Sequence, residues 1–186
     1  MKILLPSADH YVVSLSGGVD SMVLCTFLLN GSKSVSAIHF NHNTAGAQRY
    51  EDLVTTFCEE NGVSLNIYDY SGTPSEKNWA NWRKLILRTY ANNGGVVLTA
   101  HHADDKIESL LMGRDLAYCT NGIYRPLINV TKKKIIKYAL KKNIQWIEDL
   151  TNLDSTVSRR NKIRNELIPL MKACGINPQN LVKNEY

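Results

Sequence analysis

The sequence predicts an α/β protein in which a doubly wound parallel sheet of five strands is flanked by helices, with a short C-terminal helical extension. Short β-branched runs alternate with longer amphipathic runs along the chain, and turn signals such as Asn61-Gly62 and Asn93-Gly94 separate them. Alternation of this kind is typical of right-handed βαβ units, which build parallel sheets. The chain has 186 residues, 44% of them hydrophobic and 21% charged, which is ordinary for one globular domain.

The predicted elements follow one another in a regular order. The strands are residues 11–15, 35–40, 64–69, 96–100 and 144–147. The helices are residues 19–29, 49–61, 76–92, 104–112, the lysine-rich segment 131–142, and 160–173. The last helix should be kinked or broken near Pro169, because proline cannot donate the helical hydrogen bond. In open α/β sheets ligands bind beyond the carboxyl ends of the strands, so we expect polar segments 15–21, 39–43 and 99–105 along one rim.

The bulk composition excludes several classes of protein. No apolar run approaches the roughly 20 residues needed to span a membrane. The first residues, MKILLP, meet polar residues too soon for a secretory signal. The four cysteines are dispersed without a C-x-x-C pair, which fits neither a disulfide framework nor a zinc ribbon. We therefore expect a cytoplasmic protein with no membrane partner.

Basic residues are concentrated in the last third of the chain. The formal net charge is +5, and segments 131–142 (TKKKIIKYALKK) and 158–164 (SRRNKIR) contain no acidic residue. One interpretation is two solvated helix faces, the usual outcome for charge runs. Because both segments lie in the same third of the chain, we favour a surface that faces nucleic acid.

The stretch Ser16-Gly17-Gly18-Val19-Asp20-Ser21 joins the first strand to the first helix. Glycines can take positive φ, and the first amides of a helix have no intrahelical acceptor, so such a turn can bind an anion. Asp20 beside an anion indicates a bridging cation and suggests magnesium bound to a phosphate. A tight turn capped by Asp or Ser, which needs no ligand, is the alternative. No lysine follows the glycines, so this is not the G-x-x-x-x-G-K-[ST] loop, and it is not the G-x-G-x-x-G fingerprint.

SGGVDS after a strand resembles the signature of the N-type ATP pyrophosphatases, also called PP-loop ATPases. The resemblance implies the adenine nucleotide alpha hydrolase-like fold, ATP as substrate, adenylation of a carbonyl oxygen, and release of AMP and pyrophosphate. It also implies a set of ATP-binding residues on three strand ends and in the closing segment. These are Ser16, Gly17, Gly18, Val19, Asp20, Ser21, His39, Phe40, Asn41, His101, Arg160 and Arg164.

Further motifs are similar to those of the tRNA(Ile)-lysidine synthetase family within this group. They are IHFNH (38–42), TAHHADDKIESLL (99–111), RPL (125–127), and WIED (146–149) followed by Asn152, Asp154, Arg160-Asn161 and Arg164. Thiolating and deazapurine-pathway members need cysteine sites that this chain lacks. The resemblance implies that ATP adenylates the C2 oxygen of the wobble cytidine of tRNA(Ile) with a CAU anticodon. The amine of free L-lysine then attacks.

The resemblance assigns roles to residues of these motifs. The implied catalytic residues are Asp20, His101, Glu108 and Arg83; Glu108 and Asp105 would bind lysine, and Asp20 and Asp105 would hold Mg²⁺. The tRNA would contact Lys132, Lys133, Lys134, Arg159 and Arg160. Two alternatives remain: residues 101–105 could form a hydrolase-type metal site, and Glu108 could merely pair with a nearby lysine.

The chain departs from the family pattern at three places. Ala80 stands where the ExxARxxRY helix has its first arginine, the Leu-Arg after Asn-His is missing, and the glycine-rich loop is reduced to Met112–Asp115. We expect a PP-loop domain at 1–150 and a packed helical extension at 151–186, without separate tRNA-binding domains, as in a minimal form. A homodimer is left open. The other readings are a PP-loop ligase that adenylates another nucleobase or metabolite carbonyl, and an inactive nucleotide- or RNA-binding homologue.

Overall fold

The structure is a computed structural model that describes residues 1–149, 154–156 and 158–182. The strands in these residues are β1 (His10–Ser14), β2 (Ser34–Asn41), β3 (Ser64–Asp69), β4 (Val96–Leu98), β5 (Cys119–Thr120) and β6 (Ile123–Tyr124). The α-helices are α1 (Val19–Asn30), α2 (Ala47–Glu60), α3 (Glu76–Asn92), α4 (Ala103–Leu111), α5 (Lys132–Lys141), α6 (Arg159–Lys162) and α7 (Ile168–Ala173). The predicted α/β class is confirmed.

The sheet has the strand order β3-β2-β1-β4-β6-β5. Five strands are parallel, and β5 pairs antiparallel with β6 at the edge. β1 lies in the centre, where Val12 is the register partner of Ser36 on one side and of Val97 on the other. Because β2 and β4 leave β1 in opposite directions, the strand order reverses between β1 and β4. Ligands bind at this kind of crevice in doubly wound sheets.

Helices cover both faces of the sheet, and the side chains of β1 alternate between them. Val13 packs into the larger core with α1, α2 and α5, whereas Val12 packs into the smaller core with α3. This alternation follows from the two-residue period of a strand. A central parallel strand is buried on both faces, which is why its sequence YVV reads as a continuous apolar run.

The predicted strand at 144–147 is wrong. These residues form no strand, and the fifth parallel strand is β6, which pairs with β4. The position next to β4 is therefore already taken, and the apolar pattern at 144–147 has another cause. Ile144 and Trp146 pack against the larger core, and the Ile147 N–H donates to the Gly17 carbonyl at 3.0 Å.

β5 and β6 form a hairpin in a segment that the sequence analysis assigned to no element. Its two-residue turn is Asn121-Gly122, with φ values of 51° and 73°. Positive φ at both positions is typical of the type I′ turn that matches the twist of a hairpin, and Asn-Gly is its preferred sequence. The signal was present in the sequence, but the flanking strands are only two residues long.

The predicted break near Pro169 takes the form of a π-helical turn. α6 runs directly into the π-helical residues Ile163–Leu167, and α7 follows with the proline in its first turn. Because Pro169 has no N–H, the carbonyl four residues before it loses its α-helical donor, and a single π-helical turn is one way in which an α-helix accommodates such a break. The predicted domain boundary at 150/151 lies outside the described residues.

No helix in the described part of the chain combines the length and apolar character that a membrane span requires.

We predict that Gly17→Ala lowers the free energy of unfolding more than Gly94→Ala does. Both glycines have positive φ, +80° and +84°, so each alanine would carry a left-handed backbone cost of about 1 kcal/mol. A Cβ at Gly17 would also lie 3.3 Å from Tyr50 Cδ1, whereas no described atom lies within 4 Å of a Cβ at Gly94. Urea unfolding of both variants measures the difference. Equal losses would mean that Tyr50 does not constrain the loop.

Candidate active site

The loop between β1 and α1 is held in place by its own hydroxyl groups. Ser21 Oγ accepts the Ser16 N–H at 3.0 Å and donates to the Gly18 carbonyl at 3.0 Å, while the two serine hydroxyls lie 3.0 Å apart. Gly18 is the N-cap of α1, and no described side chain caps this helix. The alternative of a turn capped by Asp or Ser is therefore not what the loop forms. The amides of its first turn remain available to an anion.

Two neighbouring segments fix the backbone of this loop. His39, which is 3% exposed at the end of β2, places Nδ1 2.9 Å from the Leu15 carbonyl oxygen. Since a carbonyl only accepts, His39 Nδ1 carries the proton. On the other side the Ile147 N–H donates to the carbonyl of Gly17. The loop is thus bound on both sides before any ligand is present.

The start of α4 lies beside the loop, in the crevice between β1 and β4. His102 is the N-cap of α4: its Nδ1 accepts the Asp105 N–H at 3.4 Å, and Asp105 Oδ2 accepts the His102 N–H at 2.8 Å. Because Nδ1 accepts, the proton of neutral His102 is on Nε2, which lies 3.6 Å from Asp20 Oδ1. The capping box therefore aims His102 at the aspartate of the loop.

A cluster of two carboxylates and two guanidiniums joins α4 to the C-terminal segment. Glu108 is only 1% exposed, and its Oε2 accepts from Arg160 Nε at 2.6 Å. Arg164 Nε and Nη2 donate to Glu108 Oε1 and Oε2 at 2.6 and 2.9 Å. Arg160 Nη2 also donates to Asp105 Oδ1. The alternative in which Glu108 pairs with a nearby lysine is replaced by pairing with two arginines distant in sequence.

The charges of this cluster shift the pKa values of its members. Burial alone would raise the pKa of Asp105, but the nearby His102 and Arg160 outweigh it and hold that pKa below its usual range. Burial would likewise lower the pKa of Arg164, but its hydrogen bond and attraction to Glu108 raise it. Both groups are therefore charged at neutral pH.

His101 lies next to this cluster and is neutral at pH 7. Burial lowers its pKa to about 4, with Asp105 opposing the shift and Arg125, Arg160 and His102 adding to it. Its Nδ1 lies 3.0 Å from Thr99 Oγ1. A neutral imidazole acts on a nearby phosphate through a hydrogen bond and not through a full charge.

Arg83 enters the rim from α3 at the end of β2. Its Nη1 lies 3.3 Å from His42 Nε2, and since a guanidinium only donates, that nitrogen of His42 accepts. Burial and then Arg83 lower the pKa of His42 to about 4. Trp79 packs edge-on against the His42 ring at 5.1 Å and so helps to fix its orientation. Burial lowers the pKa of Arg83, which Glu76 opposes and Arg160 reinforces.

The structure brings together most of the predicted catalytic side chains at one rim. Asp20, His101, Asp105, Glu108, Arg160 and Arg164 belong to it. Two other predicted ATP-binding side chains are engaged in the fold: Phe40 packs on Trp82 in the smaller core, and Asn41 Nδ2 donates to Glu51. Their contacts with ATP stay predictions.

Lys132 was predicted to contact tRNA, but in the structure its ammonium contacts Asp20 Oδ1 and Oδ2 at 2.8 and 2.7 Å. Sequence reasoning gave His102 a role only in the alternative metal site at residues 101–105, whereas in the structure it caps α4. The pairing of Lys132 with Asp20 was not visible from local sequence, since the two residues are 112 positions apart.

Of the remaining predicted tRNA contacts, Arg160 belongs to the Glu108 cluster, while Lys133, Lys134 and Arg159 lie on exposed surface. Lys133 and Lys134 are exposed, and Lys134 lines a cavity of about 660 Å³ between the N-terminal residues and α5. Arg159 is exposed and lines a cavity of about 460 Å³. Neither cavity includes a residue of the glycine loop.

The alternative of a hydrolase-type metal site at residues 101–105 finds no support. Among the described residues, no three His, Cys, Asp or Glu side chains are grouped so that they could hold a metal ion. His102 Nδ1 and Asp105 Oδ2 are used instead to cap α4.

We predict that Glu108→Gln lowers the free energy of unfolding by about 2 to 3 kcal/mol, because two guanidiniums would then face a neutral amide in a buried position. Arg160 and Arg164 keep 37% and 34% of their side chains exposed, so water offsets part of the loss. Glu60→Gln, at the exposed end of α2, is the control and should change stability by less than about 0.5 kcal/mol. Chemical denaturation measures both, and similar values would contradict the role of the cluster.

Curated relatives match almost the whole of this chain. A tRNA(Ile)-lysidine synthase of Aster yellows witches'-broom phytoplasma is 32% identical over 96% of this chain and 45% of its own length. Those of Staphylococcus aureus (33% identical) and Bacteroides thetaiotaomicron (32%) match 87% and 98% of this chain and 44% and 46% of their own lengths. The chain thus spans somewhat less than half the length of these relatives.

Solved structures share the fold at low sequence identity. The NH3-dependent NAD synthetase from Campylobacter jejuni has a TM-score of 0.55 at 18% identity and covers 91% of this chain and 83% of its own. The NMN synthetase from Francisella tularensis has a TM-score of 0.57 at 16% identity and covers 74% of this chain and 63% of its own. The model of the PP-loop domain family matches residues 2–171. The chain therefore belongs to the PP-loop domain family, as its SGGVDS loop indicated.

Proposed function

We propose that this domain ligates L-lysine to C2 of the wobble cytidine in tRNA(Ile) with a CAU anticodon, in the cytoplasm. The C2 oxygen attacks the α-phosphate of ATP, and pyrophosphate leaves. The lysine amine then attacks C2, AMP leaves, and the amine loses a proton. The name shared by the curated relatives and the motifs of this chain both support this reaction.

One observation carries the proposal: the glycine loop and the Glu108–Arg160–Arg164 cluster meet at the same rim. The loop alone suits any PP-loop enzyme. The cluster joins the HHADDKIES segment to the RRNKIR segment, the two motifs that resemble the lysidine-forming family most closely. It supplies carboxylates for an ammonium and guanidiniums for phosphates within one small region.

The phosphates of ATP would lie over the start of α1. Amides of its first turn have no intrahelical acceptor, and the positive end of the helix dipole favours an anion there. Neutral His101 would donate a hydrogen bond to an α-phosphate oxygen, where negative charge develops during the attack. Arg83, which enters the rim at the end of β2, would help to stabilise this negative charge.

Asp20 is the better of the two magnesium candidates. Mg²⁺ prefers one or two carboxylates plus phosphate oxygens and water, and Asp20 is a partly exposed carboxylate in the phosphate loop. The oxygens of Asp105 already accept from Arg160 and from the His102 amide. When bound, the ion would neutralise charge on the departing pyrophosphate.

Asp105 and Glu108 would bind the lysine substrate. Both carboxylates now face guanidiniums, so an incoming ammonium would replace one of them without leaving a buried charge unpaired. The released guanidinium of Arg160 or Arg164 would then be free to contact ATP. Exchange of this kind reconciles the predicted lysine-binding and ATP-binding roles of the same cluster.

Ala80 favours a second candidate, a PP-loop ligase with another acceptor carbonyl. It is exposed on α3, one turn before Arg83, where the family pattern has an arginine. Alanine cannot replace a guanidinium in recognition of phosphate or carboxylate.

We predict that the protein, given ATP, Mg²⁺, labelled lysine and unmodified tRNA(Ile) with a CAU anticodon, incorporates lysine and releases AMP in equal amounts. Asp20→Ala should reduce the rate by about 100-fold or more, because the Mg²⁺ ion that neutralises the phosphates would lose its carboxylate ligand. Asp9→Ala, an exposed aspartate before β1, is the matched control and should retain the wild-type rate.

Two outcomes of this assay separate the candidates. AMP release without labelled RNA would favour the second acceptor. No turnover with any variant, including the wild type, would contradict the lysidine proposal.

We predict that Lys133→Gln and Lys134→Gln each reduce the slope of log affinity for tRNA against log salt concentration by about 1. Both lysines are exposed near the start of α5, where each could neutralise one phosphate. Lys33→Gln, exposed after α1, should leave the slope unchanged. Filter binding at salt concentrations from about 50 to about 200 mM measures these slopes. Unchanged slopes in all three variants would remove α5 from the tRNA surface.

A further inference from the structure

Lys132 lies against the aspartate of the glycine loop. Its Nζ lies 2.8 and 2.7 Å from the two carboxylate oxygens of Asp20, although Asp20 is in α1 and Lys132 opens α5. Resting on the proposed ATP chemistry, we propose that Lys132 is a polyphosphate ligand. It is held on Asp20 while no nucleotide is bound, and it transfers to the β- and γ-phosphates when Mg²⁺ takes its place on the carboxylate.

The glycine loop differs in charge from other phosphate-binding loops. Loops of the G-x-x-x-x-G-K-[ST] type carry their own lysine, which reaches the β- and γ-phosphates. Residues 16–21 contain no basic side chain. The Lys132 ammonium reaches the same end of the loop from another helix and so provides the charge that the loop sequence does not.

The backbone that carries Lys132 is held in place by hydrogen bonds. Its N–H donates to Asp104 Oδ2 at 2.7 Å, and the Ala103 N–H donates to the Val130 carbonyl at 2.9 Å. The start of α5 is thereby fixed to the start of α4, and Ile135 anchors α5 in the larger core beside α1. The Cα position is fixed, while the four-carbon side chain can shift by a few ångströms between two neighbouring anions.

The ion pair between Lys132 and Asp20 is weak. The Lys132 and Asp20 side chains are 39% and 26% exposed, and partly exposed ion pairs of this kind contribute little to stability. Its exchange for another partner therefore costs little. Arg160 and Arg164, in contrast, are bound to the buried Glu108 and are not available until that cluster opens.

Other ionisable groups besides Lys132 lie near Asp20. His102 Nε2 lies 3.6 Å from Asp20 Oδ1. Arg164 also lies close enough to Asp20 for the carboxylate to raise the pKa of the Arg164 guanidinium. Without Lys132, this carboxylate would attract a divalent cation more strongly. The lysine thus competes with the metal when nucleotide is absent and cooperates with it when ATP supplies further anions.

This exchange predicts effects of opposite sign for one substitution. Lys132→Gln should weaken binding of Mg²⁺ and a non-cleavable α,β-methylene ATP analogue by about tenfold or more, as expected for loss of one hydrogen bond to a charged group. The same variant should bind Mn²⁺ alone, as a probe of the magnesium position, several-fold more tightly than the wild type. A merely structural role would weaken both.

The experiment compares four variants, one of them a double variant, with the wild type. Calorimetry measures binding of the analogue, and electron paramagnetic resonance measures free Mn²⁺ without nucleotide. Lys132→Arg keeps the charge and should bind the analogue within about threefold of the wild type. Lys142→Gln, exposed at the far end of α5, is the matched control and should change neither measurement. Asp20→Asn combined with Lys132→Gln should lose the gain in Mn²⁺ affinity.

The outcomes distinguish this inference from the proposed function. If the wild type binds the analogue and Lys132→Gln binds it equally well, Lys132 is not a phosphate ligand, and the proposed function stands. If Lys132→Gln weakens both ligands, the lysine supports the fold only, and the inference is wrong. If the wild type does not bind the analogue, the proposed ATP chemistry fails and this inference fails with it.

Discussion

A buried carboxylate, Glu108, is the constraint on which the site depends. A charge that is 1% exposed is tolerable only when opposite charges and hydrogen bonds replace its water. Arg160 and Arg164 fulfil this requirement, and both come from the C-terminal segment. The need to neutralise one side chain of α4 therefore fixes where that segment docks. It also explains why the guanidiniums stand at the rim where β1 and β4 diverge, the place where a doubly wound sheet offers a crevice.

Local sequence patterns were sufficient to predict the bounds of elements whose flanking residues give the same signal. The third strand was predicted at 64–69 and the following helix at 76–92, and both have these bounds in the structure. Apolar alternation determines the strand at 64–69 locally, and turn residues on both sides determine the helix at 76–92. At 144–147 the same alternation was misleading, because it arises from packing of Ile144 and Trp146 on the core and not from a place in the sheet.

Site residues could be predicted where a short motif carries them and not where partners are distant. Ser16–Ser21 and 101–108 were recognised from contiguous residues. The contact of Lys132 with Asp20 joins residues 112 positions apart, and a lysine run has no feature that distinguishes its first member from the next two. Only the fixed start of α5, bound to Asp104, separates the lysine that faces the loop from those that face solvent.

The bond between the Ile147 N–H and the Gly17 carbonyl has a consequence for the order in which the chain folds. The ribosome makes β1, the glycine loop and β2 well before it reaches Ile147. The loop's second backbone contact, from Ile147, cannot form until the chain has been extended past residue 147. Contacts with such large sequence separation form late, since much chain entropy is lost before they are made. A nascent chain can thus build the central strands early, yet its phosphate-binding loop has both backbone supports only after residue 147 has been made.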